Sequence, residues 1–453
     1  MTRKLFGTDG IRGMANEGGM TPEMAFRIGA AIVYQLRAKT KHAPRVVIGK
    51  DTRLSGYLFE TALSAGVCTW GGRVMLSGPL PTPAVAHLTT SMRADAGVVI
   101  SASHNPYYDN GIKIFGRDGF KLPDAAEAEL ERLIQSDELD ENRPTGSDVG
   151  VAERLDDARG RYVSFVKQTF PSELTLEGLR IVVDAAHGAA YRVAPTVFEE
   201  LGAEVFAIGV DPDGKNINEK CGAVHSGACA AEVKRQRADF GIALDGDADR
   251  LIVIDEQGNE VDGDAVMALC AKRMLLDKKL KKKTLVATVM SNLGLERAME
   301  AAGGKLVRTA VGDRYVVEEM RAHGYNLGGE QSGHMIFLDH ASTGDGLVAG
   351  LQLLAMAQRA QRPLSELAKS ALTRIPQILV NGTLKSRKPL EALPKTQRAI
   401  AAATRKLGKD GRVVVRWSGT EPKLRVMVEG ESESLIRVLA ESILDAAQGE
   451  LGA

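Results

Sequence analysis

A strand–helix–strand pattern recurs three times along the chain and constrains its fold more than any other feature. An apolar strand, a helical segment, a glycine and a second strand follow one another at residues 45–76, 179–210 and 284–309. Two parallel strands joined by a helix give this pattern. Because the copies stand more than a hundred residues apart, they predict three related α/β domains rather than a solenoid of stacked repeats. Left-handed capping explains the glycine at each helix end, so we interpret the repeats as structural rather than chemical.

The chain length indicates several domains. At 453 residues the chain is too long for one hydrophobic core and suggests about three or four domains. Residues 137–151, rich in Asp, Glu, Pro and Gly, are an expected boundary, and a helix at residues 155–170 should lead into the second repeat. The composition changes again near residues 374–376, and the segment that follows lacks the repeat. We expect that segment to be a small α+β domain.

The charge balance argues against nucleic-acid and membrane partners. The chain has 58 basic and 58 acidic side chains, and 44% of its residues are apolar, which is ordinary for a protein that acts on small molecules. A lysine-rich run at residues 278–283 is short and contains no aromatic residue. A solvated helix end is therefore favoured over a nucleic-acid patch.

The cysteines and the amino terminus favour a cytoplasmic location. Cys68, Cys221, Cys229 and Cys270 form no Cys-x-x-Cys pair, which is typical of buried thiols in a reducing compartment. The first ten residues contain no apolar stretch long enough for a signal peptide, and no later run approaches the length of a membrane span.

A polar cluster at residues 101–106 follows an apolar run at residues 96–100, which predicts a buried strand. The cluster thus lies at the carboxyl edge of a sheet, where α/β proteins bind ligands. Ser103 and His104 suggest a hydrolase pair, but adjacent side chains on a loop rarely point at each other, and the Gly-x-Ser-x-Gly elbow is missing. We reject that interpretation in favour of a serine that carries a phosphoryl group.

An Asp-x-Asp-x-Asp cluster follows the strand-like residues 240–244. In an extended segment alternate side chains share a face, so Asp245, Asp247 and Asp249 can reach one cation. A calcium loop of the EF-hand type is excluded because Arg250 stands where that loop needs glycine. Three carboxylates repel one another in a simple turn. Hard oxygen ligands beside a phosphate indicate Mg²⁺.

Three further loops give weaker signals. Residues 6–13 are rich in glycine and contain Arg12, a planar donor suited to phosphate. Residues 328–334 place acceptor and donor side chains between glycines, which suits sugar hydroxyls. Residues 416–425 place two guanidiniums and two hydroxyls around a glycine turn, which fits a dianionic phosphate. Taken alone, each of these loops could be an ordinary turn.

Taken in order, these loops resemble those of the α-D-phosphohexomutase superfamily, and the match spans the whole chain. The resemblance implies an α/β fold of four domains around a central cleft. Three related α/β domains with mixed sheets and a smaller α+β carboxyl-terminal domain are expected. The implied domains are residues 1–153 with the phosphoserine loop, 154–256 with the metal loop, 257–372 with the sugar loop and 373–453 with the phosphate loop.

The resemblance also implies a role for individual residues. Ser103 would be the phosphoserine and, with the three aspartates, would hold one Mg²⁺ per chain. Lys113 occupies the position that similar proteins use as a general base. The implied catalytic helpers are Arg12, His104, Arg250 and His334. The implied sugar ligands are Glu330, Gln331 and Ser332, and the implied ligands of the non-reacting phosphate are Arg416, Ser418, Gly419, Thr420 and Arg425.

The implied activity is that of an isomerase, an intramolecular phosphotransferase. The form of residues 329–333, with Gln331, resembles the superfamily members that act on glucosamine phosphate. It implies interconversion of glucosamine 6-phosphate and glucosamine 1-phosphate through glucosamine 1,6-bisphosphate, on the route to UDP-N-acetylglucosamine and peptidoglycan precursors. Activity on mannose or glucose phosphates is the alternative within the superfamily. A sugar-phosphate binding module and a phosphatase are the alternatives outside it, and a homodimer is one option for assembly.

Overall fold

The computed structural model describes residues 5–7, 9–418 and 423–452. Within these residues the chain forms four separate β-sheets of six, five, four and three strands. Each sheet belongs to one domain, so the predicted α/β fold of four domains is confirmed. No helix among the described residues is both long enough and apolar enough to cross a membrane.

The first domain has a six-stranded mixed sheet with strand order β1-β5-β4-β2-β3-β6. All five residues of the strand Ala96–Ile100 are buried, as expected for a strand covered by helices on both faces. Short 3₁₀ turns at Asp137–Leu139 and Gly146–Asp148 precede the last strand. The elements are β1 Ile11–Met14, α1 Pro22–Arg37, β2 Arg45–Lys50, α2 Ser55–Thr69, β3 Arg73–Pro79, α3 Thr82–Ser91, β4 Ala96–Ile100, β5 Asp109–Gly116, α4 Asp124–Ile134 and β6 Val151–Arg154.

The second domain has five strands in the order β11-β10-β9-β7-β8. The helix expected at residues 155–170 is shorter and begins at Ala158, because residues 151–154 pair with β3 as an edge strand of the first sheet. The elements are α5 Ala158–Gln168, β7 Arg180–Asp184, α6 Val193–Glu200, β8 Glu204–Ile208, α7 Gly227–Gln236, β9 Phe240–Leu244, β10 Leu251–Ile254 and β11 Glu260–Val261.

The third domain has four strands in the order β13-β12-β14-β15. Part of the lysine-rich run forms a 3₁₀ turn at Lys281–Lys283. The elements are α8 Gly263–Leu276, β12 Thr284–Thr288, α9 Leu293–Ala301, β13 Lys305–Thr309, α10 Asp313–His323, β14 Leu327–Gly329, β15 Met335–Phe337, α11 Gly346–Ala360 and α12 Leu364–Ala371.

The fourth domain has a three-stranded antiparallel sheet, order β16-β18-β17, and lacks the repeated unit, as predicted. A 3₁₀ turn at Leu390–Ala392 precedes its first helix. The elements are β16 Gln377–Thr383, α13 Pro394–Leu407, β17 Gly411–Trp417, β18 Lys423–Gly430 and α14 Glu433–Leu451.

The first three domains share one strand arrangement. In each, a central strand pairs in parallel with two neighbours, and the second neighbour turns back into an antiparallel strand. The connections between these last two strands are residues 101–108, 245–250 and 330–334, which are the serine, aspartate and sugar loops. These loops lie outside the strand–helix–strand segments 45–76, 179–210 and 284–309, so the three domains share a longer arrangement than the repeat seen in the sequence, and its last turn carries the candidate residues in each domain.

The hydrophobic core links the first three domains and leaves the fourth separate. One buried apolar cluster contains Val85 of the first domain, Phe198 of the second and Met267 of the third. The fourth domain has its own cluster, which contains Val426 and Ile443. The three repeated turns are thus held by a continuous core, and close packing in such a core keeps their relative positions fixed.

Candidate active site

The nucleophile candidate Ser103 lies buried at the turn between β4 and β5, with 1% of its surface exposed. Its Oγ donates a hydrogen bond of 2.6 Å to Oδ2 of Asp245, which belongs to the second domain. Its φ of +54° is in the left-handed region, which costs a serine about 1–2 kcal/mol. Its backbone N–H donates to Oγ of Ser101 at 2.9 Å. The loop therefore holds Ser103 in an unfavourable conformation that directs its hydroxyl to the aspartate loop.

The neighbouring imidazole of His104 lies closer to the serine than we expected. Its Nδ1 is 3.3 Å from Oγ of Ser103, so the premise that adjacent side chains would not meet is wrong. The left-handed turn at Ser103 brings them together. Burial, followed by the charges of Arg250 and Arg12, lowers the pKa of His104 to about 4. The imidazole is thus neutral at neutral pH, while the shorter hydrogen bond of the serine goes to Asp245.

The aspartate loop connects β9 and β10, which pair as an antiparallel hairpin. The carboxylates of Asp245, Asp247 and Asp249 are buried, and one oxygen from each lies within 4.8 Å of the others. Burial, with repulsion from Asp249 and Asp247, raises the pKa of Asp245 well above its usual value. The Oδ1 atoms of Asp247 and Asp249 are buried and accept no hydrogen bond from any described residue. These groups fit a hard divalent cation such as Mg²⁺, which would satisfy the free oxygens and relieve the repulsion.

Lys113 extends from β5 into this cluster and is 1% exposed, so it is not a surface lysine. Its Nζ lies 2.9 Å from Oδ2 of Asp247, 3.3 Å from Oδ2 of Asp9 and 3.4 Å from Oδ2 of Asp249. Burial opposes the ammonium form, but these three carboxylates outweigh it and hold the pKa of Lys113 well above its usual value. The residue therefore lies at the centre of the site as a cation.

The glycine-rich loop at residues 6–13 joins the same cluster, within the residues that are described. Arg12 pairs with Asp9, and its Nη1 donates to the carbonyl oxygen of Ala102 at 3.4 Å. Asp9 also pairs with Lys121, whose Nζ lies 2.6 Å from Oδ2 of Asp313 in the third domain. A chain of alternating charges thus crosses from the first domain to the third.

His334 closes this network from the third domain. It is 3% exposed, with Nδ1 at 3.6 Å from Oδ1 of Asp249 and Nε2 at 3.6 Å from Oδ2 of Asp313. Burial disfavours its charged form, but Asp249, Asp313 and Glu330 outweigh the burial and raise its pKa to about 8. His334 is therefore mostly an imidazolium at neutral pH.

The sugar loop lies against the end of the aspartate loop. Gly333 has a φ of +89°, and a Cβ there would lie 2.1 Å from the carbonyl oxygen of Leu251, so only glycine allows this contact. Glu330 Oε1 accepts from the N–H of Gly312 at 3.1 Å. The side chains of Gln331 and Ser332 are partly or fully exposed and make no hydrogen bond to other described residues. They are therefore available to a ligand.

The phosphate loop follows β17, where Arg416 and Arg425 stand directly opposite each other in the β17–β18 register. Neither guanidinium has an ion-pair partner within 4 Å among the described residues. Burial, then the charge of Arg425, lowers the pKa of Arg416. Like charges placed opposite each other destabilise a sheet unless an anion joins them. Ser418 is buried at the end of β17, whereas Gly419 and Thr420 lie outside the described residues.

Several residues at the site were missed by the sequence analysis. Thr82 is fully buried, and its Oγ1 donates to Oδ2 of Asp247 at 2.6 Å. Asp9, Lys121 and Asp313 complete the charge chain. For Asp9 a signal existed, because it lies in the glycine-rich loop beside Arg12. The others carry no local motif and reach the site only through tertiary contacts. Arg250, which was predicted, lies at the edge of the cluster with its Nε 4.0 Å from Oδ1 of Asp249.

All four domains match models of one family, described as phosphoglucomutase/phosphomannomutase. The α/β/α domain I model matches residues 3–141, and the domain II model matches residues 160–258. The domain III model matches residues 262–375, and the C-terminal domain model matches residues 379–446.

Proteins of high identity over the full chain are named phosphoglucosamine mutase. The one from Sorangium cellulosum is 64% identical over 99% of this chain and 94% of its own length. The one from Myxococcus xanthus is 59% identical over 98% of this chain and 97% of its own. Among solved structures, a phosphoglucomutase/phosphomannomutase family protein from Burkholderia thailandensis has a TM-score of 0.82 at 26% identity, covering 98% of this chain and 97% of its own.

Proposed function

Because the chain belongs to the phosphoglucomutase/phosphomannomutase family, we propose that it is an isomerase that interconverts glucosamine 6-phosphate and glucosamine 1-phosphate. The names of the relatives at 57–64% identity support this substrate. The observation that carries the chemistry is the buried Ser103 hydroxyl, 2.6 Å from an aspartate of a three-carboxylate cluster. A serine in that position can carry a phosphoryl group beside a hard cation.

The proposed reaction has two phosphoryl transfers with a turn of the intermediate between them. In the first, the bond between phosphorus and Oγ of phosphorylated Ser103 breaks, and Oγ takes a proton as it leaves. A bond forms to the free hydroxyl oxygen of the sugar, whose proton passes to a base. The product is glucosamine 1,6-bisphosphate. After the intermediate turns around, Oγ of Ser103 takes the other phosphoryl group, and the departing sugar oxygen receives a proton.

The three aspartates and the phosphate on Ser103 would hold Mg²⁺, which supplies charge neutralisation for the transferred group. Arg12 brings a further cationic group to the same cluster, and His334 and Arg250 lie 3.6 and 4.0 Å from Oδ1 of Asp249. We propose that these groups stabilise the negative charge of the transferred phosphoryl group.

Lys113 remains the proposed general base. Its raised pKa means that it must first lose a proton that three carboxylates hold on it. His104 is the second candidate, since it is neutral at neutral pH and lies 3.3 Å from Oγ of Ser103. A base is effective when its pKa is near the working pH, so the pH profile of a His104→Gln variant would distinguish the two.

We propose that Glu330, Gln331 and Ser332 read the sugar hydroxyls. The non-reacting phosphate would be held by Arg416, Ser418, Gly419, Thr420 and Arg425. The negative charge of Glu330 acts on the guanidinium of Arg416 and partly offsets the lowering of its pKa by burial and by Arg425, which supports a placement of both loops in one site. A phosphate site in a separate domain can accept either end of the intermediate.

Activity on mannose or glucose phosphates is the alternative, because the sugar loop would contact hydroxyls that these sugars share. One changed polar group gives limited discrimination unless the site provides a buried partner for it. Comparison of kcat/KM for glucosamine, glucose and mannose phosphates at equal Mg²⁺ tests the substrate. A higher kcat/KM on mannose or glucose phosphate would overturn the glucosamine assignment and leave the mutase mechanism intact. Release of inorganic phosphate without isomerisation would instead indicate a phosphatase.

The remaining proposals concern the molecule as a whole. From the sequence we propose domain boundaries at residues 1–153, 154–256, 257–372 and 373–453, with the strand pairings extending the first sheet to Arg154 and the second sheet to Val261. We also propose a cytoplasmic enzyme, in line with its substrate, that contributes to the supply of UDP-N-acetylglucosamine. Assembly as a homodimer is a proposal that sedimentation of the full chain would test.

A further inference from the structure

The carbonyl oxygens of Ser103 and Asn105 each accept hydrogen bonds from the same two side chains. Nη2 of Arg53 donates to them at 2.8 and 2.9 Å. Nδ2 of Asn218 donates to them at 2.9 and 3.2 Å. Arg53 belongs to the first domain and Asn218 to the second. Groups from two domains therefore converge on the backbone of the serine loop.

All three nitrogens of the Arg53 guanidinium donate hydrogen bonds to the serine loop or to residues beside it. It is 0% exposed, and its Nε donates to Oδ2 of Asp51 at 2.8 Å. Its Nη1 donates to the carbonyl oxygens of Pro106 and Asp109. Asp51 Oδ2 in turn accepts a hydrogen bond from Oγ of Ser101 at 2.6 Å. The same Oγ accepts a hydrogen bond from the backbone N–H of Ser103. Both sides of the loop backbone are thus fixed by one buried ion pair.

Asn218 connects the loop to the aspartate loop. It is 7% exposed, and its N–H donates to the carbonyl oxygen of Ala186 at 2.9 Å within the second domain. A Cβ at Gly246 would lie 2.6 Å from the carbonyl oxygen of Ser103 and 2.9 Å from Nδ2 of Asn218. Gly246 lies between two of the proposed metal ligands. The amide of Asn218 therefore packs at the point where the serine and aspartate loops touch.

On the basis of the proposed function, we propose that Arg53 and Asn218 form a two-domain clamp that positions the nucleophile. By holding the carbonyls of Ser103 and Asn105, the clamp fixes the left-handed backbone of the serine and keeps its Oγ against Asp245. Neither residue contacts the transferred group, so both are positioning residues. Loss of the clamp lets the loop relax toward an ordinary backbone conformation and displaces Oγ from the aspartate loop. Displacements of about 1 Å can lower turnover about 100-fold.

The first test compares Asn218→Ala with a control at the same domain interface. Thr52 also joins the two domains, because its Oγ1 donates to the carbonyl oxygen of His187 at 2.6 Å, but its side chain is not bonded to the serine loop. We expect Asn218→Ala to lower kcat by about 10-fold to 100-fold, with the KM for sugar phosphate changed by less than about 2-fold because the sugar subsite is intact. Thr52→Val should lower the melting temperature but keep kcat near the wild-type value.

The second test uses the chemistry of the amide. In Asn218→Asp a carboxylate faces two carbonyl oxygens, so kcat should fall at least as far as in Asn218→Ala. Arg53→Lys keeps the charge but cannot reach all the carbonyls. Both side chains hold the same two oxygens, so their effects on kcat should not be independent. The fold-reduction in kcat of the Arg53→Lys/Asn218→Ala double variant should therefore be smaller than the product of the two single fold-reductions. If Arg53→Lys does not fold, the two Asn218 variants carry the test.

The third test does not depend on turnover. The ³¹P resonance of phosphorylated Ser103 should shift or broaden in Asn218→Ala and remain unchanged in Thr52→Val. All variants are compared with the hexose phosphate that the wild type turns over fastest, so a wrong sugar affects the proposed function but not this comparison. The clamp is overturned if Asn218→Ala keeps the kcat of the control, changes KM alone, or leaves the ³¹P resonance unchanged.

Discussion

The Nζ of Lys113 lies 2.9 Å from Oδ2 of Asp247, and each of these side chains is 1% exposed. A cation from the first domain is thus buried directly against a proposed metal ligand of the second. The positive charge of Lys113 offsets part of the negative charge of the three aspartates, so it opposes the binding of Mg²⁺ to them. Removal of the ammonium leaves the carboxylate of Asp247 buried among other carboxylates, which is costly, whereas removal of the Asp247 charge still leaves Lys113 with Asp9 and Asp249.

The first prediction concerns Lys113→Met. Removal of the ammonium leaves the carboxylate cluster more negative, so we expect tighter Mg²⁺ binding together with a loss of turnover by about 100-fold or more. Calorimetric Mg²⁺ titration and kcat measurement check the two effects. Lys121→Met is the control, because Lys121 pairs with Asp9 and Asp313 rather than with the aspartate loop. Weaker Mg²⁺ binding in Lys113→Met would contradict the account.

The second prediction is that Asp247→Asn weakens Mg²⁺ binding and lowers turnover by orders of magnitude, since one anionic ligand is lost. Folding stability should change little, because an amide can still accept from Thr82. Asp156→Asn is a suitable control, since Asp156 is exposed and lies far from the aspartate loop in sequence. Unchanged metal dependence of the Asp247 variant would mean that these carboxylates are not the ligands.

Much of this site could be predicted because its loops follow local rules. The apolar run 240–244 and the alternating aspartates after it are visible in the sequence, and the structure has the strand at those same residues. Thr82, Lys121 and Asn218 could not be predicted in the same way. Each reaches the site through a contact more than a hundred residues away in sequence, and such contacts depend on how the domains pack rather than on a local pattern.

The third prediction uses Asp345, whose carboxylate accepts from the Tyr162 hydroxyl at 2.9 Å and caps α11. Burial raises its pKa to about 6, above the value of about 3.9 in an unfolded chain. Its contribution to stability is therefore present below about pH 4 and is lost as the pH rises through 6. Asp345→Asn removes this titration. The free energy of unfolding of the variant minus that of the wild type should therefore rise by up to about 3 kcal/mol between pH 4 and pH 7. Urea unfolding at both pH values measures it, and a constant difference would refute the prediction.

The fourth prediction rests on the facing pair Arg416 and Arg425. Inorganic phosphate should raise the melting temperature of the wild type, because an anion relieves the repulsion between the two guanidiniums. Arg425→Gln should melt no lower than wild type without phosphate, lose the phosphate effect, and raise KM for sugar phosphate about 10-fold to 100-fold through the loss of a charged hydrogen bond. Full phosphate stabilisation of Arg425→Gln would place the anion elsewhere.

The central claim is that Ser103 carries the phosphoryl group, and the intact mass of the protein tests it most directly. After exposure to a hexose 1,6-bisphosphate and Mg²⁺, the wild type should gain the mass of one phosphoryl group, and peptide mapping should place it on Ser103. Ser103→Ala should remain folded, gain no such mass and lose almost all turnover. A phosphoryl group mapped to another residue, or near-normal turnover of Ser103→Ala with wild-type contamination excluded, would contradict the claim.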